Sequence, residues 1–225
     1  MTNVVALLPM KGNSERVPNK NLKQFCGEPL YHKVLRSLLD SKYISKVIIN
    51  TDSAQIKQDA IKHFENGVII HDRPLDIQGD FVSMNKIIAN DIERYSADVY
   101  VQTHSTNPML QTESIDKAIE LFINKATNEE FDSIFSVTKI QTRLYDKNVK
   151  AYNHDPKNLI RTQDLEPLYE ENSNFYIFSK DSFNASYGKR IGIKPKMYEI
   201  DKIEAVDIDS PQDFTIAESL YKLLR

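Results

Sequence analysis

The chain has 225 residues, 40% of them hydrophobic and 27% charged, with a formal net charge of −3 at pH 7. This length and composition predict one soluble domain with a substantial core, and the slightly acidic balance argues against a nucleic-acid partner. With one cysteine, the chain can form neither an internal disulfide framework nor a thiolate metal cluster. The short apolar run at residues 4–8 is neither a signal peptide nor a membrane span, so we expect a cytoplasmic protein without a membrane partner.

Short apolar strands alternate with amphipathic helices over the first part of the chain. We predict strands at residues 4–8, 46–50, 67–71, 98–102 and 133–137. We predict helices at residues 31–41, 54–64, 82–95 and 112–123. Such an alternation is typical of parallel βαβ units with helices on both faces, which is an α/β, three-layer fold with a mostly parallel sheet.

The alternation stops after Thr138. Residues 139–171 are polar with scattered Tyr and Leu residues, and we predict an extended hairpin or arm there. Strands at 174–178 and 197–200 follow, and residues 206–209 precede a final helix at 211–224 that begins with proline. Because no linker divides the chain, we predict a single domain over residues 1–225 that carries this arm.

The loop after the first strand is rich in cations and polar residues, namely Lys11, Gly12, Asn13, Ser14, Arg16, Lys20 and Asn21. Loops at the carboxyl ends of buried strands commonly bind ligands in α/β proteins. Gly12 allows close backbone approach, successive N–H groups can form an anion nest, and the cations suit a polyphosphate. The pattern matches neither standard phosphate loop, and a solvated basic turn containing Glu15 explains the composition equally well.

Asp207 and Asp209 form a second candidate group near the end of the chain. On a strand, carboxylates two residues apart would point to the same face. Paired carboxylate oxygens suit Mg²⁺, which also keeps water and substrate phosphate ligands. Taken alone, the pair fits an ordinary acidic turn before the final helix at least as well.

The first loop, with G-E-P-L after it, resembles the signature of the CMP-sugar-acid synthetases, the acylneuraminate cytidylyltransferases and their CMP-Kdo relatives. Their loop reads roughly A-R-x-x-S-(K/R)-x-x-P-x-K-N. Ser14, Pro18, Lys20 and Asn21 match it, whereas Lys11 stands where arginine is usual. I-I-N-T-D-S, H-D-R-P and V-D-I-D-S are similar to further family segments. The resemblance therefore covers nearly the whole chain, and it implies a Rossmann-like nucleotidyltransferase fold.

The resemblance implies that a hydroxyl of an acidic sugar attacks the α-phosphate of CTP in line and that pyrophosphate leaves. Catalysis would then rest on positioning and charge, with Lys11, Lys20 and Asp209 as catalytic residues and Asp207 and Asp209 as Mg²⁺ ligands. The implied nucleotide-binding residues are Lys11, Gly12, Asn13, Ser14, Arg16, Lys20, Asn21, Arg73 and Ser83. Family members are typically dimeric through such an arm, so residues 139–171 are the expected homodimerisation and acceptor arm.

The acceptor side departs from the family pattern. V-Q-T-H-S-T-N-P stands where relatives have Q-P-T-S-P, so Gln102 carries over as an acceptor contact and His104 is a further candidate. Glu170 falls where sialate-activating members have an arginine that meets the sugar acid. This reverses the charge, so Arg161 or Arg143 in the arm would have to supply the cation.

Three functions stay open on these grounds. The first is a cytidylyltransferase acting on a nonulosonic acid of the sialic, legionaminic or pseudaminic type. The second is an enzyme of the same fold with another acceptor, such as Kdo, a phosphosugar or a phosphonate. The third is a nucleotide-binding protein without turnover.

Overall fold

The computed structural model describes residues 2–126 and 130–224. The strands in these ranges are β1 (Val4–Leu7), β2 (Gln24–Phe25), β3 (Glu28–Pro29), β4 (Ile44–Thr51), β5 (Val68–Asp72), β6 (Val99–Thr103), β7 (Ser133–Ile140), β8 (Leu168–Phe178) and β9 (Pro195–Glu199). The α-helices are α1 (Leu30–Leu39), α2 (Ala54–Phe64), α3 (Met84–Arg94), α4 (Thr112–Ala126), α5 (Lys180–Ala185) and α6 (Pro211–Leu224).

Seven of the strands form one sheet in the order β5-β4-β1-β6-β8-β7-β9, and β2 and β3 form a small separate hairpin. Neighbouring strands of the sheet are parallel except that β8 runs antiparallel to both β6 and β7. Helices α1, α2 and α4 pack on one face, and α3 and α5 pack on the other. The predicted three-layer α/β architecture with a mostly parallel sheet is therefore confirmed.

The central parts of the strands in the parallel half are mostly apolar because both of their faces are covered. Every residue of β1 is buried, and Val47, Ile48 and Ile49 of β4 are buried with it. Each fully buried Val, Ile or Leu side chain among them contributes roughly 1.5–3 kcal/mol when it leaves water. This rigid half of the sheet fixes the positions at which the loops after β1, β4, β5 and β6 begin.

The structure differs from the prediction in several places. β7 continues to Ile140 and β8 starts at Leu168, and these extensions pair with each other beyond the predicted strands. Residues 206–209 form an extended irregular segment rather than the strand that the carboxylate argument assumed. The short helix α5 and the β2–β3 hairpin were not predicted.

Residues 141–167 form the outer part of the arm, between the extensions of β7 and β8. They contain an isolated bridge between Tyr145 and Ala151 and the one-turn 3-10 helix Thr162–Asp164. Large apolar side chains are exposed here, with Val149 at 80% and Tyr152 at 71%. Exposed apolar groups gathered on one segment are typical of an interaction surface.

Candidate active site

A cleft of about 500 Å³ opens at the carboxyl ends of β1 and β6. The chain leaves β1 toward β4 and leaves β6 toward β7, on opposite sides of the sheet, and open α/β sheets bind ligands at such a point. Ten of the predicted site residues line this cleft, namely Lys11, Asn13, Ser14, Arg16, Lys20, Asn21, Arg73, His104, Asp207 and Asp209.

The first loop is held in shape by the core beneath it. Val17, in the middle of the loop, is buried in a cluster with Phe25, Leu30 and Ile208. Asn19 has a left-handed backbone with φ of 51°, which turns the chain into the one-turn 3-10 helix Lys20–Leu22. These anchors favour a shaped site over a solvated basic turn.

Gly12 brings the first loop against the turn that follows β4. Its backbone N–H donates to Asp52 Oδ1 at 2.7 Å. A Cβ atom at Gly12 would lie 2.9 Å from the Cβ of Ser53, so a larger residue would push the loop away. The Gly12 N–H was expected to bind an anion of the ligand, but it is occupied by the Asp52 carboxylate of the same chain. Gly12 therefore acts by positioning its neighbours.

Lys20 and Arg16 join the first loop to the acidic segment near the end of the chain. The Lys20 Nζ donates to the Ile208 carbonyl oxygen at 2.5 Å and lies 3.6 Å from Asp209 Oδ1. Arg16 Nη2 donates to the same Asp209 oxygen at 2.9 Å. Lys20 is almost fully covered, with 11% of its side chain exposed, whereas Arg16 and Asp209 are open to solvent. The fold therefore gathers both charge signs at one wall of the cleft.

Asp207 and Asp209 both face the cleft although they are not on a strand. Asp207 keeps an exposed surface, but its partial burial in the cleft wall raises its pKa, and the nearby charge of Asp209 raises the pKa further, against a hydrogen bond with Thr106 that lowers it. A raised carboxyl pKa beside a second carboxylate indicates negative charge that is only partly compensated. This pair of oxygen donors fits the ligand preference of Mg²⁺.

Two further cations on the nucleotide side have partners within the protein. Lys11 Nζ lies 2.5 Å from Asp80 Oδ1, and both side chains are about half exposed. Arg73 is 7% exposed, and it donates to the side-chain and main-chain oxygens of Asn50 and to the Met10 carbonyl. Arg73 therefore ties the ends of β1 and β4 together and presents only part of its surface to the cleft.

Asn21 and Ser83 have different positions. The Asn21 side chain donates to the Lys11 carbonyl at 3.1 Å and accepts from Ser105 Oγ at 2.7 Å, so it links the first loop to the loop after β6. Ser83 is the N-cap of α3, where its Oγ accepts from the Lys86 N–H at 3.3 Å. Ser83 does not line the cleft, and its effect on a nucleotide would be through the placement of α3.

Gln102 and His104 lie at the end of β6. The fully buried Gln102 donates through Nε2 to the Thr103 carbonyl and accepts through Oε1 from Arg190 Nη1 at 2.6 Å. Gln102 therefore does not line the cleft, and it bonds to the protein rather than to open space. Burial, together with the charge of Arg190, lowers the pKa of His104 to about 4, so its imidazole is neutral at pH 7.

Glu170 lies in the extension of β8, opposite Thr138 of β7. It lines an adjoining cavity of about 460 Å³, which shares Ser173 and Asp207 with the main cleft. Glu171 lines the same cavity. The position beside the cleft thus has the negative charge that the sequence suggested.

The two arginines of the arm do not reach the site of their own chain. Arg161 pairs with Asp164 at 2.7 Å, and Arg143 donates to the Ile160 carbonyl at 2.6 Å. Within the part of the chain that the structure describes, neither arginine lines the cleft or the adjoining cavity. A role for Arg161 in acceptor binding stays a prediction that requires a second copy of the chain.

Ser173 and Arg190 belong to the site region, and sequence reasoning missed both. Ser173 has a left-handed backbone with φ of 59°, next to the register shift between β7 and β8. Asn172 holds this bulge through Ser136 Oγ and Thr138 Oγ1. The sequence signal that could have indicated a bulge is the polar run E-E-N-S-N before the apolar residues of this strand. Bulges are common next to active sites, where they change the direction of a side chain.

A second group of metal-ligand side chains lies away from the cleft, between α1 and α2. His32, Asp59 and His63 place ligand atoms within 4.8 Å of one another. His32 Nε2 is 2.6 Å from Asp59 Oδ2, which also accepts from the Tyr31 hydroxyl. The group was missed because its members come from two helices, and its hydrogen bonds link those helices.

Comparison with known proteins extends this description. The family model described as cytidylyltransferase matches residues 5–224. The chain belongs to the cytidylyltransferase family. It is 26% identical to pseudaminic acid cytidylyltransferase of Campylobacter jejuni, over 97% of this chain and 96% of that protein. It is also 30% identical to N-acylneuraminate cytidylyltransferase of Oncorhynchus mykiss, over 96% of this chain and 49% of that protein.

A solved structure of CMP:2-keto-3-deoxy-manno-octonic acid synthetase complexed with CTP has the same fold as this cytidylyltransferase. The TM-score is 0.72 at 15% identity, and 99% of each chain is covered. The predicted family and its Rossmann-like nucleotidyltransferase fold are thereby confirmed. No helix in the described ranges is long and apolar enough to cross a membrane.

Proposed function

We propose that this cytidylyltransferase transfers CMP from CTP to a hydroxyl of a nonulosonic acid and releases pyrophosphate. Membership of the family supports the CTP-dependent transfer. The observation that carries the site is the meeting of Lys20 and Arg16 with Asp209 across the mouth of the cleft. Relatives acting on pseudaminic and N-acylneuraminic acids support the class of acceptor.

The first loop would bind the triphosphate. Lys11, Arg16 and Lys20 would neutralise phosphate oxygens as charge builds during in-line attack. In the free protein, Lys11 pairs with Asp80 and Arg16 with Asp209, and the side chains of both pairs are 45–67% exposed. Such pairs contribute about 1 kcal/mol or less, so a phosphate can take the place of either carboxylate. Lys20 is already oriented by the Ile208 carbonyl.

We propose Asp207 and Asp209 as the residues that would hold Mg²⁺. Their support is the partly compensated carboxylate pair at the cleft wall, where the pKa of Asp207 is raised. When bound there, the ion would add positive charge near the α-phosphate and lower the pKa of the attacking hydroxyl. Asp209 would exchange its present contact with Arg16 for this role.

A second candidate function is CMP transfer to an acidic acceptor other than a nonulosonic acid, such as Kdo or a phosphorylated small acid. The observation in its favour is the pair Glu170 and Glu171 beside the cleft, where a carboxylate-binding arginine was expected. These acids repel a carboxylate placed where sialate-activating relatives are expected to bind it, so they favour an acceptor whose acid group lies elsewhere in the cleft. The two functions predict different acceptors and the same use of CTP.

We also propose that the arm joins two copies of the chain in the cytoplasm. The exposed apolar side chains of the arm support this, because a second copy could cover them. Light scattering on the wild-type protein and on Tyr152→Glu should show a dimer in the first case and a monomer in the second. A wild-type monomer at micromolar concentration would contradict this part of the proposal.

The test of the activity is pyrophosphate release from CTP with a panel of pseudaminic acid, legionaminic acid, N-acetylneuraminic acid and Kdo. We expect release with at least one nonulosonic acid, with a requirement for Mg²⁺ and little release when ATP or UTP replaces CTP. Asp209→Asn should lose at least about 100-fold in rate. Glu120→Gln, on the exposed face of α4, is the matched control. CTP binding without pyrophosphate release on any acid would contradict the proposal.

A further inference from the structure

Arg190 lies behind the acceptor side of the cleft, on the face of the sheet that α3 and α5 cover. The loop after α5 carries it back over β8, where its Cζ is 3.8 Å from the centroid of the Tyr176 ring. Its Nη1 donates to Gln102 Oε1 at 2.6 Å. The guanidinium is therefore fixed by a stacking contact and by a hydrogen bond that it donates to a fully buried side chain.

This cation has no acidic partner among the residues that the structure describes. No carboxylate oxygen of the described chain lies within 4.0 Å of its nitrogens. Glu171, whose charge acts on Arg190, accepts instead from the Tyr176 hydroxyl. Burial lowers the pKa of Arg190, but a guanidinium stays protonated in proteins. Because Glu171 acts on Arg190 without bonding to it, the charge of the half-buried guanidinium is only partly compensated, so an anion that reaches it is favoured.

The position of Arg190 connects it to the cleft. Its Nη1 is 3.4 Å from Nε2 of His104, which lines the cleft. Tyr176, under the guanidinium, has its hydroxyl 3.1 Å from Ser173 Oγ, and Ser173 lines both the cleft and the adjoining cavity. Arg190 is thus one side chain away from the point where the two cavities meet.

We propose that Arg190 binds the carboxylate of the acceptor sugar acid, an inference that rests on the proposed function. Arg161 and Arg143 are bonded within the arm, and Lys202, which lines the adjoining cavity, is an exposed ammonium without the planar fork that binds a carboxylate through two bonds. A guanidinium carries five N–H donors, and the bond to Gln102 uses only Nη1. The N–H groups on Nε and Nη2 therefore remain as donors for a carboxylate. Gln102, which the sequence suggested as a direct acceptor contact, is a positioning residue that holds Arg190 in place.

The test uses the nonulosonic acid that gives the most pyrophosphate, together with its methyl ester, which lacks the charge. Arg190→Gln removes the charge, Arg190→Lys keeps it without the fork, and Lys189→Gln is the matched control on the exposed neighbour. We expect the KM of the acid to rise about 10- to 100-fold in Arg190→Gln, less in Arg190→Lys, and not in Lys189→Gln. The KM of CTP in Arg190→Gln should stay within about twofold of the wild-type value. If Arg190 only maintained the structure of the site, the KM of CTP would rise together with that of the acid.

The wild-type protein supplies a second readout that does not depend on any variant folding. It should use the free acid at least about tenfold better than the methyl ester, and Arg190→Gln should lose this preference. Equal use of acid and ester by the wild type would overturn the role of Arg190, as would an equal rise of both KM values in Arg190→Gln. Absence of turnover with every nonulosonic acid would instead overturn the proposed function, and this inference with it.

Discussion

The two sides of the cleft are built in different ways. Most cations of the nucleotide side come from one continuous loop after β1, which is anchored by buried Val17 and by the backbone of Asn19. The acceptor side is assembled from the end of β6, the bulge in β8 and the loop after α5. The first side has several cations beside carboxylates, whereas the second has two exposed acids and an exposed lysine at the adjoining cavity, with the half-buried Arg190 behind them. A local motif can specify the first side, whereas the second depends on contacts between distant segments.

The largest expected effect is on the nucleotide side. Lys20→Ala should lower kcat/KM at least about 100-fold, because it removes a charge at the phosphates and the bond that orients the Ile208 carbonyl. Steady-state pyrophosphate release measures the loss, and Lys62→Ala on the exposed face of α2 is the matched control. A variant with wild-type kinetics would remove Lys20 from the site.

Gly12→Ala should affect the nucleotide side of the cleft without affecting the acceptor side. The added Cβ would lie 2.9 Å from the Cβ of Ser53, so the first loop must move while the acceptor side stays in place. We expect the KM of CTP to rise about tenfold and the KM of the acid to stay within about twofold. Equal changes in both constants would show that the two sides are not independent.

Glu170→Arg addresses the acceptor side alone. The substitution replaces a negative charge on the adjoining cavity by a positive one, so use of N-acetylneuraminic acid should improve about three- to tenfold in kcat/KM. Glu166→Arg, which is exposed in the arm and outside the cavity, is the matched control. An equal improvement of kcat/KM in both variants would show that general surface charge, and not the charge at position 170, determines the use of N-acetylneuraminic acid.

The smallest effect concerns a scaffold residue that touches neither side. Burial alone would raise the pKa of Glu28, but hydrogen bonds from Arg36 and Lys33 hold it at about 2, below the ordinary 4.5. A depressed carboxyl pKa stabilises the folded state above the unfolded pKa, and this contribution is lost as the pH falls from about 4.5 toward 2. Glu28→Gln should therefore cost on the order of 1–3 kcal/mol at pH 7 and less than half as much at pH 3.

Urea unfolding of both proteins at the two pH values measures this difference. Neutral-pH kinetics should be unchanged in Glu28→Gln, which makes it a control for the cleft variants. A stability difference that stays constant between the two pH values would show that the Glu28 carboxylate does not carry this contribution.

The parallel half of the fold could be predicted from the sequence because its signals are local. The predicted helix at residues 54–64 has the observed bounds of α2, since Ser53 accepts from the Ile56 N–H and the apolar spacing is regular. The segment from Leu168 to Asn172 was predicted only as the end of an extended hairpin or arm, without strand bounds, because its polar residues form a strand only through their pairing with β7. The same limit hid Arg190, whose partners lie in β6 and β8.

The site shows the same division. The loop motif identified Lys20 and Asn21. The pair Asp207 and Asp209 was found by its chemistry, and both residues line the cleft, although the described residues 206–209 do not form the strand that was expected to align the two carboxylates. Gln102 was recognised, but its bond to Arg190 could not be read from V-Q-T-H-S-T-N-P. Residue identity predicted which groups matter, and only the three-dimensional contacts show what each one holds.

The most direct test of the central claim is phosphorus NMR of a reaction with CTP, Mg²⁺ and the preferred nonulosonic acid, because it identifies the product as well as the turnover. We expect one new phosphodiester resonance from the CMP-sugar and an equimolar amount of pyrophosphate, with neither in the presence of Asp209→Asn. Free CMP with pyrophosphate and no sugar adduct, or an unchanged CTP spectrum, would contradict CMP transfer to a sugar acid at this cleft.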